Sequence, residues 1–258
     1  MNLFDAIILG IVEGITEYLP VSSTAHLVLT AQMLGLEQDR FMKAFEIIVQ
    51  IAPIFSVMII YKERLLQSRQ LWYKLLTAFF PTGVVGFLFH EQIETLFAMN
   101  STVALMILTG VIFLVIEYFW REKEHHVQEL DAISYKQAFY IGLFQTISLV
   151  PGISRSGSTI LGAMLVGLKR EAAMAFSFLL AIPTMGAASG YMMLKEYRVI
   201  MDGNFTLLFV GFIISFIIGY VAVKSFLAIV ARYNFTPFGI YLIVSGLIFG
   251  LLGFEMPK

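Results

Sequence analysis

Cysteine is absent from the 258-residue chain. That excludes disulfides, thiolate metal sites and a cysteine nucleophile, and leaves the compartment open. Charge is nearly as scarce. Asp, Glu, Lys and Arg make up 14% of the residues and leave a net charge of −1. No basic field exists to gather nucleic acid. No Walker A sequence or other nucleotide fingerprint occurs. A cleavable signal peptide is not expected, because the N-terminus lacks a basic segment and meets Glu13 and Glu17 too soon. What fills the chain is apolar: 59% of residues are hydrophobic and the mean hydropathy is +0.83. Soluble domains do not have this composition, so the chain reads as one polytopic, all-α membrane domain over 1–258.

Six stretches are long and apolar enough to span a bilayer: roughly 44–61, 71–89, 99–118, 172–194, 204–223 and 235–254. Trp72, Tyr118, Trp120 and Tyr233 lie near their ends, as interfacial aromatics do. Asn100-Ser101-Thr102 and Thr236-Pro237 read as helix starts. Two other stretches, 3–34 and 137–167, are broken in the middle by Pro, Ser and Gly. Each apolar run in them is about ten residues, a rise of only ~15 Å, half a bilayer core. They are expected to be re-entrant helix–loop–helix hairpins. Irregular backbone at that depth survives only against protein or water.

The two halves repeat, over approximately 1–120 and 136–258. Gly10-Ile11-Val12-Glu13 followed by Pro20-Val21-Ser22-Ser23 parallels Gly142-Leu143-Phe144-Gln145 followed by Pro151-Gly152-Ile153-Ser154. Phe45 and Pro53 parallel Phe176 and Pro183, and Thr109-Gly110 parallels Ser245-Gly246. The offset stays near 131–136 residues, which marks an internal duplication. One hairpin and three spans per half make the second half inverted. Threaded so, 11 basic residues, among them Lys62, Arg64, Arg121, Lys169 and Arg170, fall on one side. Five, Arg40, Lys43, Lys195, Arg198 and Lys258, fall on the other. The first side is then cytoplasmic, both termini lie outside, and the hairpin tips meet from opposite leaflets.

The chemistry sits in those tips. Glu13 and Glu17, four apart, share a helix face. Such a pair needs a proton or cation between its carboxylates, and oxygen donors suit Mg²⁺ or Ca²⁺. Otherwise it only caps a wet hairpin mouth. Ser22 and Thr24 either cap the next helix or contact a ligand. Ser23 is the better nucleophile candidate, with Glu17 and His26 both local as bases. The second tip, 151–159, has small residues, a helix expected to start near Gly157, and Arg155. Free backbone N–H groups, a helix dipole and a forked cation make an anion cradle. Ser154, Ser156, Ser158 and Thr159 add hydroxyls; alternatively Arg155 is a counter-ion for the acids. The set fits phosphoryl transfer on a lipid phosphate. Glu46 and Gln50 either line the site or make a helix–helix hydrogen bond. His125-His126 reads as part of a solvated loop.

Glu13-Gly-Ile-Thr-Glu17-Tyr-Leu-Pro-Val-Ser-Ser-Thr-Ala-His26 and Pro151-Gly-Ile-Ser-Arg-Ser-Gly-Ser-Thr159 resemble the two signature motifs of the bacterial undecaprenyl-diphosphate phosphatases, the bacitracin-resistance family. The resemblance covers the full length without a departure in either motif. It implies a hydrolase that converts undecaprenyl diphosphate to the monophosphate and inorganic phosphate. That activity recycles the lipid carrier for peptidoglycan synthesis in the bacterial inner membrane. It further implies a divalent cation, an outward-facing site, and bacitracin competing by sequestering the substrate. By motif position Glu13 and Glu17 are the acidic pair, Ser23 the nucleophile and His26 a catalytic partner. Ser154, Arg155 and Thr159 bind the diphosphate, with Ser22, Thr24 and Ser156 beside them. A His26 nucleophile, direct water attack, a homodimer, and a transporter or flippase of phosphorylated lipid stay open.

Overall fold

The computed structural model describes residues 1–89, 92–93, 102–150, 152–230 and 234–251. Asn100, Ser101, Pro151, Arg232, Tyr233 and Lys258 therefore lie outside the described residues. Those described form an all-helical bundle whose only β contact is an isolated bridge between Val127 and Leu168. Five helices are long and apolar enough to cross a membrane: α3 (Arg40–Ile60), α5 (Arg69–Leu88), α6 (Thr102–Phe119), α9 (Arg170–Lys195) and α11 (Phe205–Val230). The sixth expected span is represented by α12 (Thr236–Leu251), 16 residues as far as the chain is described. Short helices α4 (Lys62–Gln67) and α10 (Tyr197–Asp202) follow α3 and α9; the sequence reading did not anticipate them. Large apolar side chains such as Phe80, Phe87 and Phe209 stand exposed on the bundle, as they would against acyl chains.

Both broken segments are helix–break–helix. The first comprises α1 (Leu3–Thr16) and α2 (Ser23–Met33), and the second α7 (Tyr135–Thr146) and α8 (Arg155–Leu165). At 14, 11, 12 and 11 residues they are somewhat longer than expected. Each still rises only ~16–21 Å, short of a ~30 Å hydrocarbon core. Caps set their outer ends. Asn2 and Asp5 form a reciprocal capping box on α1, and Ser134 and Gln137 one on α7. Gly152, at φ +91°, makes the second tip's turn, and a Cβ there would lie 2.7 Å from the Thr102 carbonyl oxygen.

The limbs pack across the chain. α1 lies along α11, which also packs on α3; α7 lies along α5, which packs on α9. α3 crosses α9, and α6 pairs with α12. Gly10 and Gly14, one turn apart, let α1 approach α11 closely: a Cβ at either would sit 2.8 Å from backbone oxygen of Gly211 or Ser215. Hydroxyls replace the hydrophobic effect as interhelical glue, Ser56 donating to the Phe216 carbonyl and Ser215 to that of Val49. Gln145, the residue matched to Glu13 in the repeat, is buried and bonded to Thr82 and Thr184. Glu117, 4% exposed, pairs with Arg170 at 2.7 Å and accepts the Phe235 N–H, tying α6, α9 and the start of α12.

Candidate active site

The two tips meet. Arg155 is the first residue of α8, two positions earlier than expected, because Ser154 caps the helix by accepting the Gly157 N–H at 3.1 Å. That start aims the guanidinium across at the first tip. Its Nη2 lies 2.8 Å from Glu17 Oε1, with side chains 13% and 3% exposed. Nη1 donates to the Ser177 carbonyl on α9 at 3.1 Å. The guanidinium also lies 5.4 Å from the centre of the Tyr18 ring. Ser156 adds a second tie between tips, donating to the Leu19 carbonyl at 2.9 Å.

Glu17 has a second task. Its Oε2 accepts the Ser23 hydroxyl at 2.7 Å. One carboxylate therefore bridges a guanidinium and a serine, and Ser23 is partly exposed while Glu17 is buried. Glu13 lies a turn below, wholly buried, with neither carboxylate oxygen hydrogen-bonded to a described residue. A carboxylate in that state is costly unless it holds a proton or a cation. Its donor chemistry fits a hard divalent ion, since Mg²⁺ commonly takes one or two carboxylates and completes its shell with water and phosphate oxygens. Among the described residues no cluster of three or more acids or imidazoles is spaced for a metal.

Other candidates are placed differently. Ser22 stands at the start of α2, but its side chain makes no cap, and its φ of 67° is left-handed. Of the two roles open to Ser22, capping thus does not occur, and Thr24 makes no hydrogen bond to a described residue. His26 is not turned toward Ser23. Its Nδ1 lies 2.9 Å from the Ser22 carbonyl oxygen and its Nε2 2.7 Å from the Tyr241 hydroxyl. In the second tip, the Thr159 hydroxyl is buried, donates to carbonyls of its own helix and meets the Ser177 hydroxyl. Ser154 and Ser156 are likewise engaged within the protein. These hydroxyls rivet the cradle, and Arg155 is the group best placed to meet an anion. Glu46 accepts from Gln38 at 3.1 Å, and Gln50 makes no side-chain bond to a described residue. Sequence reasoning missed Ser177 and Tyr241, which stand outside both motifs, and Tyr18, which lies within the first motif but is given no role there.

A helical bundle with five helices apolar and long enough to cross a membrane, large apolar side chains such as Phe80, Phe87 and Phe209 exposed on its outside, and Glu13, Glu17 and Arg155 turned inward is a multi-pass membrane protein with an internal polar site. The family model described as bacitracin resistance protein BacA matches residues 6–248. The chain belongs to that family. It is 48% identical over 249 residues to an undecaprenyl-diphosphatase of Wolinella succinogenes, covering 96% of this chain and 97% of the other. The corresponding protein of Persephonella marina is 47% identical over 249 residues, covering 96% and 98%. That of Campylobacter hominis is 47% identical over 254 residues, covering 96% and 98%.

Proposed function

We propose that this protein is an undecaprenyl-diphosphatase: a membrane hydrolase that cleaves undecaprenyl diphosphate to undecaprenyl phosphate and inorganic phosphate and so returns the carrier lipid to cell-wall synthesis. The observation that carries the mechanism is the 2.7 Å bond from Ser23 Oγ to Glu17 Oε2. A hydroxyl becomes a competent nucleophile when a positioned base takes its proton. The diphosphate enters the seam and Arg155 turns from Glu17 to the phosphate oxygens, which its forked donors match. Glu17 is then free to accept the Ser23 proton. Ser23 Oγ bonds to the terminal phosphorus as the bridging P–O bond breaks, and undecaprenyl phosphate leaves. Water then attacks the phosphoserine, giving inorganic phosphate and restoring Ser23. Glu13, with Glu17, would hold a Mg²⁺ or Ca²⁺ ion, which neutralises phosphate charge when bound.

The chain sits in the inner membrane with six crossings and two re-entrant hairpins, in two inverted halves. The mutual packing of α1 on α11 and α7 on α5 supports that arrangement. The basic residues favour cytoplasmic ends at Lys62–Lys74 and Arg121–Arg170, with both termini and the site opening outward. Bacitracin, by capturing the same diphosphate, competes for the substrate. A carrier of phosphorylated lipid would use a similar cradle, so the test needs no sealed compartment. Purified protein in detergent should release phosphate from a polyprenyl diphosphate. Ser23→Ala should lose at least about a thousandfold in kcat while still binding the lipid. Near-normal turnover in that variant removes Ser23 from the role, and no turnover in the parent removes the phosphatase.

A further inference from the structure

The imidazole of His26 is held from two sides. Nδ1 faces the Ser22 carbonyl at 2.9 Å, and Nε2 faces the Tyr241 hydroxyl at 2.7 Å. A carbonyl oxygen has no proton to give, so Nδ1 carries the hydrogen and donates it. In the neutral ring Nε2 is then an acceptor, and the Tyr241 O–H donates to it. Tyr241 comes from α12, 215 residues along the chain. Its ring stacks on His26, centroids 5.6 Å apart and planes 14° from parallel, and Phe249 closes the edge at 6.0 Å.

The carbonyl that His26 grips belongs to a strained residue. Ser22 has the only positive φ of any non-glycine among the described residues. A left-handed serine persists only where its surroundings over-determine it. Here they do so through one oxygen. The Ser22 carbonyl accepts both the His26 backbone N–H at 3.2 Å and the His26 ring at 2.9 Å. The next residue is Ser23, whose hydroxyl meets Glu17. In the other tautomer, the Nδ1 lone pair would face the carbonyl oxygen and repel it, and the turn would lose its hold. Both ring nitrogens are occupied, and neither is turned to Ser23.

We propose that His26 is a positioning residue rather than a base or nucleophile: the acceptor-only Ser22 carbonyl fixes the Nδ1–H tautomer, the Tyr241 O–H supports it from Nε2, and the ring so held pins that carbonyl and thereby aims Ser23. This rests on Ser23 as the nucleophile of the reaction proposed above. Tyr241 is a positioning residue at one further remove.

The test uses the full chain in detergent, a polyprenyl diphosphate, and three replacements of His26. Asn places an N–H donor where Nδ1 stands, Gln places its amide near Nε2, and Ala supplies neither. His26→Asn should keep kcat within roughly tenfold of the parent, while His26→Gln and His26→Ala fall at least about a hundredfold with KM little changed. Tyr241→Phe should lower kcat about three- to tenfold, again without moving KM. Nitrogen-15 spectra of histidine-labelled protein give a readout independent of turnover. The chain has four histidines, and the signals missing from His26→Asn identify His26. The parent should show a protonated Nδ1 and a bare Nε2, and Tyr241→Phe should shift Nε2 toward an unbonded nitrogen. A protonated Nε2 in the parent overturns the proposal. So does a His26→Asn protein that melts at the parent temperature yet is as inactive as His26→Ala. A parent that releases no phosphate defeats the phosphatase reading instead, and the nitrogen spectrum still decides the tautomer.

Discussion

Arg155→Met keeps an apolar stem of similar reach and deletes the guanidinium. Glu17 Oε1 then loses its partner at 2.8 Å. Glu13 already has no donor on either oxygen among the described residues. Two buried carboxylates are left together, with the Ser23 hydroxyl the donor that remains to Glu17. Removing one side of a buried pair costs about 3–5 kcal/mol. Two unit charges about 4 Å apart at a working dielectric near 20 give about 4 kcal/mol, in agreement. At about 2–4 °C per kcal/mol, the apparent melting midpoint should fall by roughly 6–20 °C. Glu17→Gln should cost less, because the guanidinium keeps the Ser177 carbonyl. The double variant should recover most of the loss, a coupling of about 3 kcal/mol across the cycle. It should remain inactive, since both the proposed base and the proposed phosphate-binding group are gone. Trp72 and Trp120 report unfolding by fluorescence, in detergent with chelator so that no cation replaces the guanidinium. An Arg155→Met protein that melts with the parent, or a double variant that melts lower than either single one, refutes the pairing as the element that holds the tips together.

Three more outcomes are expected. Gly14→Leu puts a side chain where a Cβ already lies 2.8 Å from Ile218 Cβ and the Ser215 carbonyl oxygen; folded yield should collapse in size-exclusion profiles, while Leu at the uncrowded Gly186 should not matter. Glu117→Gln leaves Arg170, 20% exposed, with only the longer 4.0 Å contact to a carboxylate, that of Glu122, among the described residues, so stability should drop by about 1–3 kcal/mol while kcat per folded molecule holds, read from melts and active-site-normalised turnover. Chelation should abolish phosphate release from the parent, with Mg²⁺ or Ca²⁺ restoring it, and Glu13→Gln should no longer respond to the added ion; a parent indifferent to chelator removes the cation from Glu13.

The two broken segments were legible because hydrophobic runs too short to cross end in Pro20 and in Gly152, and because a charge in hydrocarbon demands a partner. That reasoning led from Glu17 to Arg155 across 138 residues. The orientation of His26 was not legible. Spacing along α2 put it one turn from Ser22, and periodicity cannot tell which way a ring swings once a residue on α12 competes for it. The hydroxyls of the second tip read as ligand donors, yet backbone carbonyls at Leu19 and Arg155 use two of them. The Leu19 carbonyl already accepts the Val21 N–H and offers Ser156 its second lone pair, a feature of the fold that is invisible in a string of residue types. The short α4 and α10 have no periodic stripe long enough to declare them.

The Ser156 contact bears on how the molecule is made. The carbonyl of Leu19 receives a hydroxyl that the ribosome delivers 137 residues later. Until then that carbonyl has only the Val21 N–H, Glu17 lacks its guanidinium, and α1 itself lacks the α11 surface it rests on. The N-terminal half, released alone, would be an unfinished object, recognisable to quality-control proteases by its unanswered polar bend. Co-expressing the two halves as separate polypeptides should therefore rescue both or neither.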